Sequence, residues 1–145
     1  MKKLILLFLF IPLVSFGQEE EITLETKTGD IKGSLLIPSV LEKTAVVLII
    51  AGSGPTDRNG NNPMMTNNSL KMLAKELQKN GIASVRYDKR GIGESKNSGL
   101  QEIDLRFEDY VQDVEGWIKL LKEDERFSNI IVLGHSEGSL IGMIA

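Results

Sequence analysis

Residues 45–51 read AVVLIIA, seven consecutive apolar side chains with no polar alternation. A strand with one face in water alternates apolar and polar residues, whereas a strand covered on both faces is apolar throughout. Burial of both faces is typical of strands inside parallel sheets, where helices pack on either side. This run therefore predicts a central strand of a layered α/β domain.

Further strands and helices are predicted on both sides of this run from the period of the apolar residues. In chain order we predict a leader over residues 19–21, a β-hairpin over 22–28 and 31–37, a helix over 69–80, a strand over 82–87, a helix over 105–123, a strand over 130–133 and a helix that begins near 139. Asn68 is expected to cap the first helix, and Gly81 is expected to end it in a left-handed conformation. A hairpin followed by alternating strands and helices indicates the α/β class with a mostly parallel sheet.

The sequence GHSEG at residues 134–138 fits the pattern G-x-S-x-G, which is known as the nucleophile elbow. In this motif a serine lies on a sharp turn between a strand and a helix, so that its hydroxyl stands clear of the backbone. The flanking glycines, Gly134 and Gly138, allow the strand and the helix to approach the turn without Cβ clashes. Because the motif follows an apolar strand and opens an apolar helix, Ser136 is predicted to be a nucleophile rather than an ordinary turn serine.

Two backbone N–H groups are candidates to stabilise an oxyanion beside this serine. The N–H of Glu137 follows the nucleophile and lies at a helix N-terminus, a usual source of one donor. The N–H of Ser53 follows the apolar strand in a glycine-rich loop, although GSGP at 52–55 also fits a plain turn. His135 adjoins the nucleophile, so its side chain points away from the serine and a structural role is expected. The Glu137 side chain is expected to be solvated.

Composition excludes several other kinds of site. The chain has no cysteine and a single histidine, which excludes disulfides, thiolate chemistry and zinc sites built from several Cys or His residues. Residues 57–68 resemble a calcium loop, but the glycine is fourth instead of sixth and the last position is Asn68 instead of glutamate. No dinucleotide loop or phosphate-binding P-loop is complete. No metal or organic cofactor is therefore predicted.

The first 17 residues have the order of a secretory signal peptide: two lysines, an apolar run and small residues. The apolar run at residues 4–14 is shorter than the roughly 20 residues that cross a bilayer as a helix. Cleavage after Gly17 and export to the periplasm or medium are therefore expected, and a retained membrane anchor is the alternative. Removal of Lys2 and Lys3 would change the net charge from −3 to −5, which argues against nucleic acid or an anionic membrane surface as the main partner.

Three segments together resemble the α/β-hydrolase superfamily: AGS at residues 51–53, DKRGIGES at 88–95 and the GHSEG elbow. The second resembles the D-x-R-G-x-G-x-S loop of that superfamily. AGSGPTDRNGN and RYDKRGIGES are similar to an exported bacterial subgroup described as esterase-like or serine-aminopeptidase-like. The resemblance implies an eight-stranded sheet, a Ser-Asp-His triad and loop-shaping roles for Asp88 and Arg90.

The chain departs from this pattern after the elbow. The triad of the superfamily runs Ser, acid, His along the chain, yet the nine residues after Ser136 include neither His nor Asp. Residues 18–145 are therefore expected to be the N-terminal part of a single α/β-hydrolase domain, truncated after the elbow and inactive alone. The expected activity is hydrolysis of a small carboxylic ester by acyl transfer. The alternatives are aminopeptidase-like cleavage of short peptides and non-catalytic ligand binding.

Overall fold

The computed structural model describes residues 19–39, 42–99 and 101–145. The strands are β1 Glu19–Leu24, β2 Ile31–Leu36, β3 Thr44–Ile50, β4 Ala83–Tyr87 and β5 Phe127–Gly134. The helices are α1 Ser69–Lys79, α2 Phe107–Lys122 and α3 Glu137–Ile144, with short 3-10 turns at Gly93–Ser95 and Glu102–Asp104. The predicted order of strands and helices is confirmed over these ranges.

The strands form one mixed sheet in the order β1-β2-β4-β3-β5. The β1–β2 and β2–β4 pairs are antiparallel, and β3 pairs in parallel with both β4 and β5. The predicted α/β class, with an N-terminal hairpin beside a parallel centre, is therefore confirmed. Five strands fall within the described residues, where the resemblance implies eight for the complete fold.

Strand β3 lies between two helical layers, which explains its continuous apolar sequence. Val46, Leu48 and Ile50 belong to the core on the side of α2 and α3. Val47 and Ile49 belong to a second core on the side of α1. All five side chains are at most 3% exposed. Burial on both faces stabilises the strand in a way that a half-exposed strand cannot match, since each buried aliphatic side chain contributes about 1.5–3 kcal/mol.

The larger core is organised around α2. Its Trp117 side chain is fully buried and packs against Tyr87 of β4, with ring centroids 5.6 Å apart and planes tilted by 35°. Tilted aromatic pairs at this separation add to the free energy of burial. Burial also raises the pKa of the Tyr87 phenol, because the ionised form has no water around it. The contact fixes α2 against the sheet beneath the loops that follow β3 and β4.

Residues 19–21 are part of β1, so the prediction of a solvated leader is wrong. Their backbone pairs with β2, and their carboxylates are exposed. Glu19 accepts a hydrogen bond from the buried guanidinium of Arg86, and Glu20 accepts one from Arg126 Nη1 at 3.1 Å. Pairing with β2 and with two arginines compensates for the low strand propensity of an acidic run.

The ends of α1 differ from prediction on one side only. Asn68 is the residue before α1, but it has a φ of 53° and makes no side-chain capping bond. Its Oδ1 instead accepts a hydrogen bond from Asn61 Nδ2 at 3.1 Å, which serves the preceding loop. At the other end Gly81 has a φ of +76°, the left-handed conformation predicted for it.

No helix in the described ranges is long and apolar enough to cross a membrane. The predicted signal peptide, residues 1–17, lies outside the described residues.

Candidate active site

The loop after β3 and the elbow after β5 lie side by side. The two strands are parallel neighbours, and their register pairs Ile50 with Gly134 at the carboxyl ends. His135 continues the pairing, because its N–H donates to the Ile50 carbonyl at 3.0 Å. Since ligands of open α/β sheets bind at the carboxyl ends of strands, this edge is the candidate site.

Ser136 occupies a strained turn between β5 and α3. Its φ of 55° and ψ of −121° are outside the usual regions for a residue with a side chain. The turn is held by hydrogen bonds from Gly138 N–H to the His135 carbonyl and from Ser139 N–H to the Ser136 carbonyl, both 2.9 Å. Such strain, about 1–3 kcal/mol, persists only where the surroundings enforce it. The Ser136 side chain is exposed and makes no hydrogen bond to a described residue.

The two elbow glycines are required by close backbone approach. A Cβ on Gly134 would lie 2.2 Å from the Gly138 carbonyl oxygen. A Cβ on Gly138 would lie 2.6 Å from the carbonyl oxygen of Ile50 in β3. Neither backbone oxygen can move aside without breaking the turn. The backbone thus leaves no room for a side chain at either position.

Gly52 packs directly against the elbow. A Cβ at this position would lie 3.0 Å from His135 Nδ1 and 3.4 Å from Ser136 Cβ. The loop that contains Ser53 therefore begins beside the candidate nucleophile. The N–H groups of Ser53 and Glu137 donate to no acceptor among the described residues. The loop after β3 and the turn after β5 thus each contain an unpaired backbone N–H group, that of Ser53 and that of Glu137.

Lys89 lies between these segments, and sequence reasoning missed it. Its side chain is only 4% exposed, and its Nζ donates to the Gly52 carbonyl at 2.6 Å. The same ammonium pairs with Glu137 Oε2 at 3.2 Å and lies 5.5 Å from the centre of the Tyr110 ring. The expectation that the Glu137 side chain is simply solvated is therefore wrong. Only the place of Lys89 between Asp88 and Arg90 could have drawn attention to it.

Asp88 fixes the long loop after β3 to the loop after β4. Its carboxylate accepts from Arg58 N–H at 2.7 Å, from Arg58 Nε at 3.0 Å and from Glu94 N–H at 3.0 Å. The Arg58 guanidinium also contacts the Glu94 carboxylate. A Cβ on Gly93 would lie 2.5 Å from Asp88 Oδ2, so the turn closes tightly around this carboxylate. Asp88 is 2% exposed, and the loop-shaping position implied for it is observed.

Arg90 fixes the second loop to α2. Its Nε and Nη2 donate to the two oxygens of Asp113 at 2.8 and 2.6 Å, and its Nη1 donates to the Ser98 carbonyl at 3.1 Å. Both members of the ion pair are buried. Burial raises the pKa of the Asp113 carboxyl against the opposing effect of the Arg90 charge. The bidentate pair holds the loop on a rigid helix.

A cavity of about 470 Å³ opens next to the elbow. Its walls combine apolar side chains with the Lys89–Glu137 ion pair: Pro55, Ile92, Leu105, Tyr110, Lys89 and Glu137. A mostly apolar cavity with a few polar groups is typical of a small-molecule site. Within the described ranges, no group of three or more His, Asp or Glu side chains is arranged to hold a metal ion.

The fold and the elbow define an α/β-hydrolase. The sequence pattern of the family described as serine aminopeptidase, S33, matches residues 65–145, and the chain belongs to this family.

Similar proteins agree on the fold. Esterase EstD of Thermotoga maritima is 28% identical over 124 residues, which are 86% of this chain and 28% of EstD. Est1E from Butyrivibrio proteoclasticus, in its structure with bound ferulic acid, is 21% identical with a TM-score of 0.70, over 86% of this chain and 46% of Est1E. Dienelactone hydrolase from Anabaena variabilis is 24% identical with a TM-score of 0.66, over 89% of this chain and 56% of the dienelactone hydrolase chain. The chain thus spans between 28% and 56% of the length of these relatives.

Proposed function

We propose that this chain is the N-terminal part of an exported serine hydrolase that acts on small carboxylic esters by acyl transfer. The observation that carries the proposal is the strained, exposed Ser136 at the carboxyl end of β5, directly beside Gly52. An esterase among its relatives supports the substrate class. Residues 1–17 are proposed to be removed, and residues 18–145 to belong to one domain.

In the proposed reaction the Ser136 oxygen attacks the carbonyl carbon of the ester. Its proton passes to a general base, which we expect after Ala145, since the chain spans 28% of EstD. The N–H groups of Ser53 and Glu137 stabilise the oxyanion of the tetrahedral intermediate, which is usually a large contribution to such catalysis. The C–O bond then breaks, the alcohol leaves with the proton, and water hydrolyses the acyl-enzyme to a carboxylic acid and free serine.

Labelling with a fluorophosphonate tests the nucleophile in the full-length protein, including whatever follows Ala145. The proposal predicts covalent labelling of Ser136, located by peptide mass spectrometry, and no labelling of Ser136→Ala. Ser139→Ala is the matched control, because Ser139 is three residues away and its hydroxyl donates to the Gly134 carbonyl at 2.7 Å. Full-length protein that labels at another residue, or not at all, contradicts the assignment.

A second candidate function is release of N-terminal amino acids from short peptides. The family to which the chain belongs is described as serine aminopeptidase, and this observation favours the alternative. Parallel assays with p-nitrophenyl esters and amino-acid p-nitroanilides separate the two. A kcat/KM that is higher for the anilides would replace the ester proposal with the peptidase. Failure of both, together with saturable ligand binding, would support a non-catalytic role.

Export has its own test. The proposal predicts that the protein recovered from the periplasm or medium begins at Gln18, as determined by N-terminal mass spectrometry. A soluble cytoplasmic protein that retains residues 1–17 would contradict export.

A further inference from the structure

The ammonium of Lys89 connects the two segments that carry the candidate oxyanion donors. It comes from the loop after β4, whereas Gly52 follows β3 and Glu137 opens α3. Its Nζ donates to Gly52 O at 2.6 Å and to Glu137 Oε2 at 3.2 Å. One side chain thus joins its own loop to two other segments of the chain at the candidate site.

The hydrogen bond from Lys89 to the Gly52 carbonyl fixes the direction of the Ser53 N–H group. The Gly52 carbonyl and the Ser53 N–H belong to the same peptide unit, which is planar and trans. In such a unit the C=O and N–H vectors point in opposite directions. When Lys89 holds the carbonyl on one side, it therefore fixes the direction of the Ser53 N–H on the other. Donation by an ammonium also polarises the peptide, which strengthens its N–H as a donor.

The bond to Glu137 acts on the second N–H group. Glu137 is the first residue of α3, and its side chain is about one-third exposed. Packing alone therefore leaves room for this side chain to adopt other orientations. Pairing with the buried ammonium holds this residue, and hence its backbone N–H, at a set distance from the loop after β3. Both candidate donors are thus held by one cation.

Burial of Lys89 gives independent support. At 4% exposure the ammonium has lost most of its water, which destabilises the folded state unless protein partners replace that water. A methionine of similar length would fill the same space without this cost. A buried cation bonded to a backbone carbonyl beside an elbow therefore indicates a role that an apolar side chain cannot perform.

We propose that Lys89 is a positioning residue of the oxyanion hole: it orients the Ser53 N–H through the Gly52 carbonyl and the Glu137 N–H through the Glu137 carboxylate. This inference rests on the proposed serine hydrolase function. Because Lys89 acts on donors that matter most in the transition state, its loss should reduce kcat far more than it raises KM.

The experiment measures kcat and KM for a p-nitrophenyl ester in full-length protein that carries Lys89→Met. We expect kcat to fall about 10- to 100-fold, less than the 10²–10³ typical for loss of a donor outright, with little change in KM. Glu137→Gln should reduce kcat by less, since the bond to Gly52 remains. Lys79→Met is the matched control: it also removes one lysine ion pair, with Glu76 on α1, and should leave kcat unchanged.

Chemical rescue distinguishes positioning from a general effect on packing. These 145 residues contain no cysteine, so Lys89→Cys introduces a thiol that is unique among them. Aminoethylation with 2-bromoethylamine rebuilds an ammonium at nearly the lysine length. We expect kcat to recover on aminoethylation but not after alkylation with an uncharged ethyl group.

The outcomes separate the two proposals. If fluorophosphonate does not label Ser136 in the unmutated protein, the proposed function fails and the role of Lys89 fails with it. If Ser136 is labelled and Lys89→Met, folded by circular dichroism, keeps its kcat or changes only KM, the positioning role alone is overturned. Should Lys89→Met not fold, Lys89→Gln, which removes the charge but keeps a polar group, is measured against the same criteria.

Discussion

At the scale of single residues, Ser136 combines a strained backbone with an exposed hydroxyl. Ser136→Ala should lower ester turnover by about 10⁴-fold or more, since the nucleophile is lost. The free energy of unfolding should change by no more than about 0.5 kcal/mol, because the hydroxyl contributes no packing. Ser136→Gly should instead stabilise the fold by about 1 kcal/mol, because glycine adopts a φ of 55° without strain. Urea unfolding and esterase assays test both; a Ser136→Ala enzyme with full turnover would refute the mechanism.

Gly52 is the second position where a single substitution should reduce catalysis. In Gly52→Val the added carbons would press on His135 Nδ1 and Ser136 Cβ, 3.0 and 3.4 Å from the new Cβ, and displace the Ser53 N–H. Loss of one oxyanion donor raises the barrier by about 3 kcal/mol, so kcat should fall about 100-fold with a smaller change in KM. Gly52→Ala is the graded control, since it places a single Cβ at these distances without the two further methyl groups of valine and should lower kcat less. Equal losses of kcat in the two variants would contradict the contact argument.

The sequence predicts the residues of the elbow well and the contacts around it poorly. Gly134, Ser136 and Gly138 belong to a motif whose spacing encodes a local turn, so the pattern alone locates them. Lys89 is 48 residues from Glu137, and their ion pair depends on how three loops meet. Nothing in the local pattern indicates this pairing, because a lysine in a polar loop is usually solvated.

At the scale of elements, the buried Arg90–Asp113 pair joins the loop after β4 to α2. Asp113→Leu should reduce the free energy of unfolding by about 3–5 kcal/mol, because it leaves the Arg90 charge buried and unpaired. The double variant with Arg90→Met should lose much less, since no unpaired charge remains. Urea unfolding of the two single variants and the double variant measures this coupling. Additive losses would mean that the ion pair is not the contact that holds the loop.

The sequence predicts a strand correctly where its residues are apolar and buried throughout. It fails where a polar segment becomes a strand through pairing with a neighbouring strand and with distant side chains. The apolar run in β3 identifies a strand covered on both faces, and the structure places helices on both. Residues 19–21 were misjudged because their strand depends on register with β2 and on Arg86 and Arg126, which are far apart in sequence. Strand β5 begins at Phe127, earlier than the predicted 130–133, because the polar residues Ser128 and Asn129 separate Phe127 from the apolar run that follows.

At the scale of the whole molecule, an apolar surface is exposed along β5 and α3. Ile131, Leu140, Met143 and Ile144 are between 48% and 76% exposed. An open strand edge with apolar neighbours promotes association between chains. Residues 18–145 expressed alone should therefore aggregate and should not hydrolyse p-nitrophenyl esters. Light scattering and urea unfolding test this; a monodisperse monomer with cooperative unfolding and turnover that depends on Ser136 would contradict it.

The central claim is that Ser136 forms a covalent acyl intermediate, and trapping that intermediate tests it most directly. Full-length protein is mixed with p-nitrophenyl acetate, quenched in acid within the first turnover and digested for peptide mass spectrometry. The account predicts an acetyl group on Ser136, formed together with a burst of p-nitrophenol, and neither in Ser136→Ala. Hydrolysis that proceeds without an acetyl group on Ser136, or equally fast in Ser136→Ala, would contradict the account.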